Sequence, residues 1–280
     1  MVTRRRLLAA ALSDCGATIR GQWPVYRVPG IPRTPDGRVD LTARPPRTAD
    51  GKPDFSGIWR FVDSPQARPG PPPPPGVGTI GIGLRAPGLN QFFDIGSTLP
   101  DGLPFQPWAA ELRRQRAANN NKDNPDAHCL PLGLMQLHTH PEPRKIVQSP
   151  GVLVILYEGN SGIRQIFTDG RPLPPGGAQP WWYGYSSGRW EGDTLAVETT
   201  GFRDDVWLDV EGSPLTESAK MTERFRRPDY GNMEIEITVE DLKAYTKPWT
   251  VRVHHQLMPD TELIEFVCNE NEKDVPHMTK

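Results

Sequence analysis

The 280-residue chain lacks long apolar runs and contains few cysteines. No stretch of about 18 apolar residues occurs, so the sequence predicts no membrane-spanning helix. The three cysteines, Cys15, Cys129 and Cys268, form no Cys-x-x-Cys pair, which argues against a zinc knuckle or a redox motif. We expect Cys129 just before the sheet and Cys268 in its last strand. They either form a bridge in an oxidising compartment or remain two buried free thiols.

The chain also lacks a surplus of either charge, with 32 basic and 34 acidic residues. Binding to a phosphate backbone needs an excess of Lys and Arg, so nucleic acid is not the expected partner. Rossmann, P-loop and Gly-x-Ser-x-Gly signatures are all missing, and Ser186-Ser187 has no strand-to-helix context. The sequence therefore predicts no nucleotide cofactor and no hydrolase triad.

Proline and glycine are abundant, with 32 and 27 residues. Because proline removes a backbone donor and clashes with the preceding helical turn, long helices are disfavoured in most of the chain. The pattern predicts an extended N-terminal arm over 1–50 and a proline-rich loop over 64–90. The best helix candidate spans 107–118, where Pro107 can occupy the first turn.

The first residues have the basic and then apolar order of an export signal. The apolar part is short, and Ser13 and Asp14 interrupt it. We interpret residues 1–15 as a remnant signal. The expected location is the periplasm or the exterior if this segment is a signal, and the cytoplasm otherwise.

From residue 145 onward, short β-rich runs alternate with Gly, Asn, Asp and Pro turns. Met233, Ile235, Ile237 and Val239 alternate with polar residues, which is typical of a strand with one buried face. Roughly eight strands predict an all-β fold, an antiparallel meander that closes into a barrel and leaves no exposed edge. We expect one such domain over 51–280. The expected strands cover 146–148, 152–158, 163–168, 190–191, 194–199, 218–226, 233–239, 249–257 and 262–268.

Four segments carry a resemblance to a known family: GRWEGDTL (188–195), ETTGF (198–202), TERF (222–225) and VCNEN (267–271). They resemble uncharacterised exported bacterial proteins. This resemblance implies a signal peptide, and it gives no indication of which activity to expect. Separately, Gly57-x-Trp59 is similar to the entry motif of lipocalins. That similarity implies an eight-stranded barrel whose closed end is plugged by the Trp, with a ligand cavity in the barrel mouth.

The aromatic segment Trp181, Trp182, Tyr183 and Tyr185 lies in a Pro/Gly-rich connection between strands. Adjacent residues of an extended chain cannot all face one core, so at least one ring should be accessible. Exposed Trp and Tyr rings stack on flat ligands such as an aromatic ring or a sugar face. We therefore predict substrate binding here, with packing at a barrel end as the alternative.

Charged residues inside the β-rich runs are the next candidates. Glu158 and Glu198 follow apolar strand residues, while Arg164 and Arg224 lie within strands. In an open sheet such residues face water, but in a closed barrel some must line the interior. A carboxylate beside an arginine there forms an acid/base pair and an anion clamp. Arg171 follows an Asp-Gly turn and is predicted to bind a carboxylate or phenolate, with a turn role as the alternative.

His138 and His140 are candidate general bases at the rim of the pocket. A metal site that combines them with His254 or His255 is the alternative, but a two-histidine loop motif is weak. We predict no metal centre.

Together these residues predict a small-molecule pocket protein. The leading hypothesis is a cofactor-independent lyase or isomerase that transfers protons on a flat, partly apolar aromatic substrate. One alternative is a non-catalytic lipocalin-like carrier of a hydrophobic ligand. A second alternative is a structural module that engages another subunit, with a homodimer as the expected form.

Overall fold

The computed structural model describes residues 25–62, 77–80, 94–176 and 178–268. Their main feature is a closed barrel of nine strands, which confirms the predicted all-β barrel. The ring closes because β1 pairs with both β3 and β10. β2 pairs with the rest of the β10 edge that β1 uses. The strands are β1 Gly57–Val62, β2 Val77–Ile80, β3 Arg144–Ser149, β4 Val152–Tyr157, β5 Ile163–Phe167, β6 Tyr185–Glu191, β7 Thr194–Thr200, β8 Lys220–Arg226, β9 Asn232–Glu240 and β10 Trp249–Leu257.

The barrel differs from the expected meander in three respects. It has nine strands rather than about eight. The pair β5 and β6 is parallel, since the connection over 168–184 returns the chain to the end where β5 began. The expected strand over 262–268 is wrong, because this segment has no ladder partner among the described residues.

Two helices longer than a single turn are described, α1 Pro107–Ala118 and α2 Leu134–Thr139. α1 has the predicted bounds and begins with Pro107 in its first turn. α2 lies in a stretch expected to be loop, and all six of its residues are buried. Among the described residues, no helix is long and apolar enough to cross a membrane. The possible signal over 1–15 and most of the 64–90 loop lie outside the described residues, apart from β2.

The side chains that point into the barrel change character along the strands. At the end formed by the β3–β4, β6–β7 and β8–β9 hairpins, called the hairpin end, they are apolar. Leu153 and Leu195 are fully buried there. Toward the opposite end the inward positions become polar. Side chains along a strand alternate between its two faces, and the inward face here carries Arg164, Ser186 and Thr199.

α2 packs at the polar end of the barrel, next to the start of β3. Its last turn brings His138 to Glu223 in the middle of β8. The Gln136 side chain donates to the Trp207 carbonyl, and Gly133 leaves no room for a Cβ beside that carbonyl. This helix therefore occupies the end that would otherwise be open.

Trp59 of the Gly-x-Trp element lies fully buried toward the hairpin end. Its Nε1 donates to the Phe55 carbonyl at 2.9 Å, and the Arg227 guanidinium stands 4.8 Å from the indole centroid. Gly57 has φ +134, and a Cβ there would meet Leu257 at 2.7 Å. A strand start with this close approach requires glycine.

The arm over 1–50 was expected to be extended, but its described part contains a repeated turn. The sequence Arg-Thr-x-Asp-Gly-Arg/Lys-x-Asp occurs at 33–40 and again at 47–54. In both copies, the first clasp (33–40) and the second clasp (47–54), the arginine donates to the glycine carbonyl of its own turn. Each arginine then reaches a barrel carboxylate through two bonds: Arg33 to Asp260, and Arg47 to Asp193.

A disulfide joins Cys129 to Cys268 and confirms the bridge that the sequence left open. It ties the C-terminal segment to the loop before α2. The same contact region includes a bond of 3.0 Å from the Ser161 hydroxyl to the Phe266 carbonyl. The C-terminal segment and the loop before α2 are therefore fastened to each other beside the connection between β4 and β5.

Candidate functional site

The wall of the barrel is incomplete between β5 and β6. These parallel strands pair at only two positions, Ile166 with Ser186 and Phe167 with Ser187. Before those positions the two chains separate. The gap forms a cavity of about 320 Å³, called the seam pocket, which is lined by residues 163–165, 167 and 181–186 together with Pro131.

The predicted aromatic segment forms one side of this seam pocket. Trp181 is 40% exposed, and its ring lies 5.6 Å from that of Tyr185. Tyr185 in turn stacks on Phe167 with ring centroids 5.3 Å apart. Trp182 packs against the core and carries the Arg203 guanidinium on its ring at 4.5 Å. The segment is therefore partly packing and partly accessible surface, as adjacent residues of an extended chain require.

Gly184 allows this segment to turn back into β6. It has φ +63, and a Cβ there would lie 2.8 Å from the Thr200 carbonyl oxygen. Only glycine combines this backbone conformation with such a close approach. The position of the aromatic rings over the seam pocket depends on that single residue.

Arg164 and Ser186 supply the polar part of the seam pocket. Arg164 donates from Nε to the Ser186 hydroxyl at 3.2 Å and from NH2 to the Thr199 hydroxyl at 3.1 Å. The two hydroxyls are 2.9 Å apart. The guanidinium is thus held in place by side chains of the neighbouring strands β6 and β7.

Behind this guanidinium lies Glu223, which is fully buried. Arg164 bonds both carboxylate oxygens of Glu223, with 2.9 Å from NH1 to Oε1. His138 Nε2 lies 2.7 Å from the same Oε1. A bidentate arginine–carboxylate pair with a third partner is a fixed arrangement, because each contact restricts the orientation of the others.

The protonation states in this group follow from burial and pairing. Burial alone would raise the pKa of Glu223, but Arg164 and His138 lower it to about 2. Burial lowers the pKa of His138, and Glu223 only partly offsets that effect. Burial also acts against the charge on Arg164, yet the pair with Glu223 raises the pKa of the guanidinium overall. At neutral pH the group is a carboxylate, a guanidinium and a neutral imidazole.

A second buried cation lies on the other side of His138. Arg144 NH1 donates to the His138 carbonyl at 3.0 Å, and His255 Nε2 is 2.8 Å from that same oxygen. Burial lowers the pKa of Arg144 to about 10 and the pKa of His255 well below its ordinary value. Arg144 therefore stays charged and His255 neutral, so the histidine can donate to the carbonyl.

Tyr183 is the pocket residue with a free polar end. Its hydroxyl stands over Gly162, where a Cβ would lie 2.7 Å from that oxygen. It makes no hydrogen bond with a described residue. Burial raises the pKa of Tyr183 above its ordinary value, so the phenol stays protonated at neutral pH. It can therefore donate a hydrogen bond to a ligand in the seam pocket.

Three predicted site residues lie on the outer surface instead. Glu198 contacts Arg189 at 3.4 Å, and Arg224 contacts Glu191 at 2.8 Å. The expected pairing of Glu198 with Arg164 or Arg224 is therefore wrong, because Glu198 occupies an outward position of β7. Arg171 bonds Asp169 and covers the Phe167 ring at 3.8 Å, beside the seam pocket but not in its lining.

Glu158 and His140 lie near the polar end but do not line the seam pocket. Glu158 is buried and accepts a hydrogen bond from the Ile264 backbone at 3.3 Å. His140 forms a contact of 2.5 Å with Glu142, which lowers the pKa of that carboxyl. The expected pair of Glu158 and Arg164 is replaced by Glu223 and Arg164.

Glu223, a charged residue within a strand, was not chosen as a candidate site residue from the sequence. A usable signal was present, because Met221 and Phe225 alternate with it and both point into the barrel. A carboxylate between two apolar inward positions has to be inside as well.

No described group of three or more His, Cys, Asp and Glu residues is arranged to hold a metal ion. His138 and His140 neighbour each other in sequence, but only His138 reaches the barrel interior. Each pairs with a different carboxylate, Glu223 and Glu142. The alternative metal site built on these histidines is therefore not formed by the described residues.

Comparisons of the chain with protein-family models, with curated proteins and with solved structures found no match. The resemblances to exported bacterial proteins and to lipocalins therefore remain predictions. Function is inferred from the geometry of the barrel and its pockets.

Proposed function

We propose that this protein binds a flat, partly apolar ring compound in the seam pocket and transfers protons on it, as a lyase or isomerase. The observation that carries the proposal is that the aromatic segment 181–185 and the residue Arg164 line one cavity. Pockets of this kind, mainly apolar with a few oriented polar groups, are typical small-molecule sites.

The charge state of the pocket defines the ligand further. Arg164 is already neutralised by the Glu223 carboxylate, so the pair adds no net charge behind the cavity. A strongly anionic ligand would gain little there and would lose its hydration. An uncharged oxygen, such as a carbonyl or a phenolic hydroxyl, fits better, because the Tyr183 hydroxyl can donate a hydrogen bond to it.

The proposed chemistry uses such donors when charge develops on that oxygen. A water molecule in the pocket takes a proton from the carbon next to a carbonyl, or from a phenol, and returns it to another carbon of the ligand. In between, negative charge lies on the ligand oxygen, and fixed donors stabilise it. Tyr183 donates from the protonated phenol, while Arg164, paired with Glu223, contributes oriented N–H dipoles and no net charge. Glu223 and His138 act as positioning residues, because they hold the guanidinium in its plane from behind.

Binding is tested by titrating the protein with neutral phenols, aromatic ketones and aromatic carboxylates while following tryptophan fluorescence. We expect saturable binding of the neutral compounds, and we expect Trp181→Ala to weaken it by about fivefold, since one aromatic contact is worth about 1 kcal/mol. Trp108→Ala is the matched control, because Trp108 is similarly exposed at 47% but lies on α1. Equal loss in both variants, or no binding at all, would refute the proposed site.

Catalysis is tested by incubating the bound compounds in D₂O and following carbon-bound hydrogens by NMR. We expect exchange or a rearranged product with the native protein, and a reduced rate with Tyr183→Phe, which keeps the ring and removes the hydroxyl. Saturable binding without exchange would support the carrier hypothesis in place of the enzyme.

A further inference from the structure

A second cavity lies at the hairpin end, away from the seam pocket. It encloses about 490 Å³ and is called the mouth pocket; it is lined by residues 48–50, 148–151, 153, 168, 190 and 195. Its floor consists of Leu153 and Leu195, which point into the barrel and are fully buried. One wall is Trp190, which stacks on Phe55 with centroids 5.8 Å apart. The deepest part of the cavity is therefore aliphatic and aromatic.

The second clasp covers this mouth pocket. Thr48, Ala49 and Asp50 are part of its lining, and they belong to a turn closed by the bond from Thr48 N to the Lys52 carbonyl at 2.9 Å. The only described ion pair between this turn and the barrel joins Arg47 to Asp193, at 2.9 Å and 2.7 Å.

The two clasps fasten to the barrel in the same way but with different strength. The Arg33 and Asp260 side chains are 19% and 23% exposed, while Arg47 and Asp193 are 40% and 67% exposed. Asp260 also accepts a hydrogen bond from the Val28 backbone, whereas Asp193 bonds to no described residue besides Arg47. The base of the second clasp is held to the barrel, since Gln148 donates to the Pro53 carbonyl at 3.1 Å and Arg227 donates to the Asp54 carbonyl. Its tip over 47–51 is fastened among the described residues by the exposed pair, which water and salt screen, so this tip is the part that can open.

The rim of the mouth pocket selects against negative charge. Asp50 lies on it, and the bond from the Thr48 hydroxyl lowers the pKa of Asp50, so this carboxyl is ionised at neutral pH. The remaining rim groups include the hydroxyls of Ser149 and Thr168. A carboxylate headgroup would meet Asp50, while an alcohol can bond to the hydroxyls.

We infer that the mouth pocket is a second binding site, for an uncharged, largely apolar molecule with one hydrogen-bonding group, and that the second clasp is its lid. The inference does not depend on the proposed chemistry at the seam pocket. The two similar turns of the arm then have different roles. The first clasp holds the arm to the barrel, and the second clasp closes over the ligand.

The site is tested with the neutral fluorescent probe N-phenyl-1-naphthylamine, displaced by 1-decanol or by decanoate. We expect the probe to bind and the alcohol to compete at least tenfold better than the acid. Ala49→Trp places an indole in the mouth pocket from an exposed position, and we expect at least a tenfold loss of probe affinity. Pro35→Trp, at the equivalent position of the first clasp, is the matched control and should bind like the native protein.

The lid is tested by measuring probe dissociation in a stopped-flow instrument. Arg47→Gln should raise the dissociation rate several-fold, and added salt should raise that of the native protein, while Arg33→Gln should leave the rate unchanged. Equal probe binding by Ala49→Trp and Pro35→Trp would overturn the site. Equal rates for Arg47→Gln and the native protein would overturn the lid.

Discussion

The seam pocket lies in the wall of the barrel and the mouth pocket at its hairpin end, and the two differ in their lining. The seam pocket is a gap in the wall with aromatic rings outside and a buried ion pair behind. The mouth pocket has an aliphatic floor, a rim of hydroxyls and a covering turn. The difference follows from the strands themselves, because their inward residues change from apolar to polar along their length. One closed sheet can therefore offer two separate chemical environments.

The largest expected effect comes from breaking the polar end. Glu223→Gln removes the partner of a fully buried guanidinium, so we expect a loss of about 3–5 kcal/mol in the free energy of unfolding. Urea denaturation followed by circular dichroism measures it. Glu198→Gln is the control on the outer face of the neighbouring strand β7, where an exposed pair contributes about 0–1 kcal/mol. Similar losses in both variants would mean that the buried pair has no special role.

Removal of the disulfide should weaken ligand binding in the seam pocket but not in the mouth pocket. Cys129→Ser combined with Cys268→Ser removes a bridge between residues separated by 139 positions in the sequence. We expect a loss of about 2–4 kcal/mol in the free energy of unfolding. Pro131 lines the seam pocket close to this bridge, so ring binding there should weaken as well. Probe binding in the mouth pocket should not change. A loss restricted to the mouth pocket would contradict this assignment.

Acid should destabilise the polar end in two stages. The folded protein holds His138 and His255 below their ordinary pKa of 6.5, so stability falls as pH drops below that value. The folded protein also holds Glu223 at about 2 rather than 4.5, so a further loss follows between about 4.5 and 2. Urea midpoints measured from pH 7.5 to pH 3 should decline throughout. Glu223→Gln should flatten the more acidic part, and a constant midpoint in the native protein would refute the scheme.

The smallest expected effect on stability comes from the clasps. Arg33→Gln should lower the thermal midpoint more than Arg47→Gln, because the Arg33–Asp260 pair is better buried. Differential scanning calorimetry at low and high salt measures both. Salt should reduce the difference between Arg47→Gln and the native protein. The reverse order of the two variants would mean that the second clasp is the anchor.

Local pattern predicted most of this fold. Alternation in Met233–Val239 and Pro107 in the first turn of α1 were sufficient to place those elements, because both depend on near neighbours. The parallel pairing of β5 and β6 was not predictable in the same way, since it depends on where a long connection returns the chain. α2 was missed because prolines surround it and its burial comes from contacts with the barrel.

The candidate site was predicted in its parts rather than in its pairing. Arg164 and the aromatic segment do line one cavity. The carboxylate beside Arg164 was misassigned, because choosing among Glu158, Glu198 and Glu223 requires knowing which strand face is inside. The repeated clasp was visible in the sequence, but only the two ion pairs show that its copies make equivalent contacts.

The central claim, that the seam pocket binds a flat ring, is tested most directly by blocking it. Gln165 is an exposed residue of its lining, so Gln165→Trp fills the pocket without disturbing the core. Val147→Trp adds the same side chain at an exposed position on β3. Calorimetric titration with the tightest neutral phenol or aromatic ketone should show at least tenfold weaker binding for Gln165→Trp and native affinity for Val147→Trp. Native affinity for Gln165→Trp would contradict the claim.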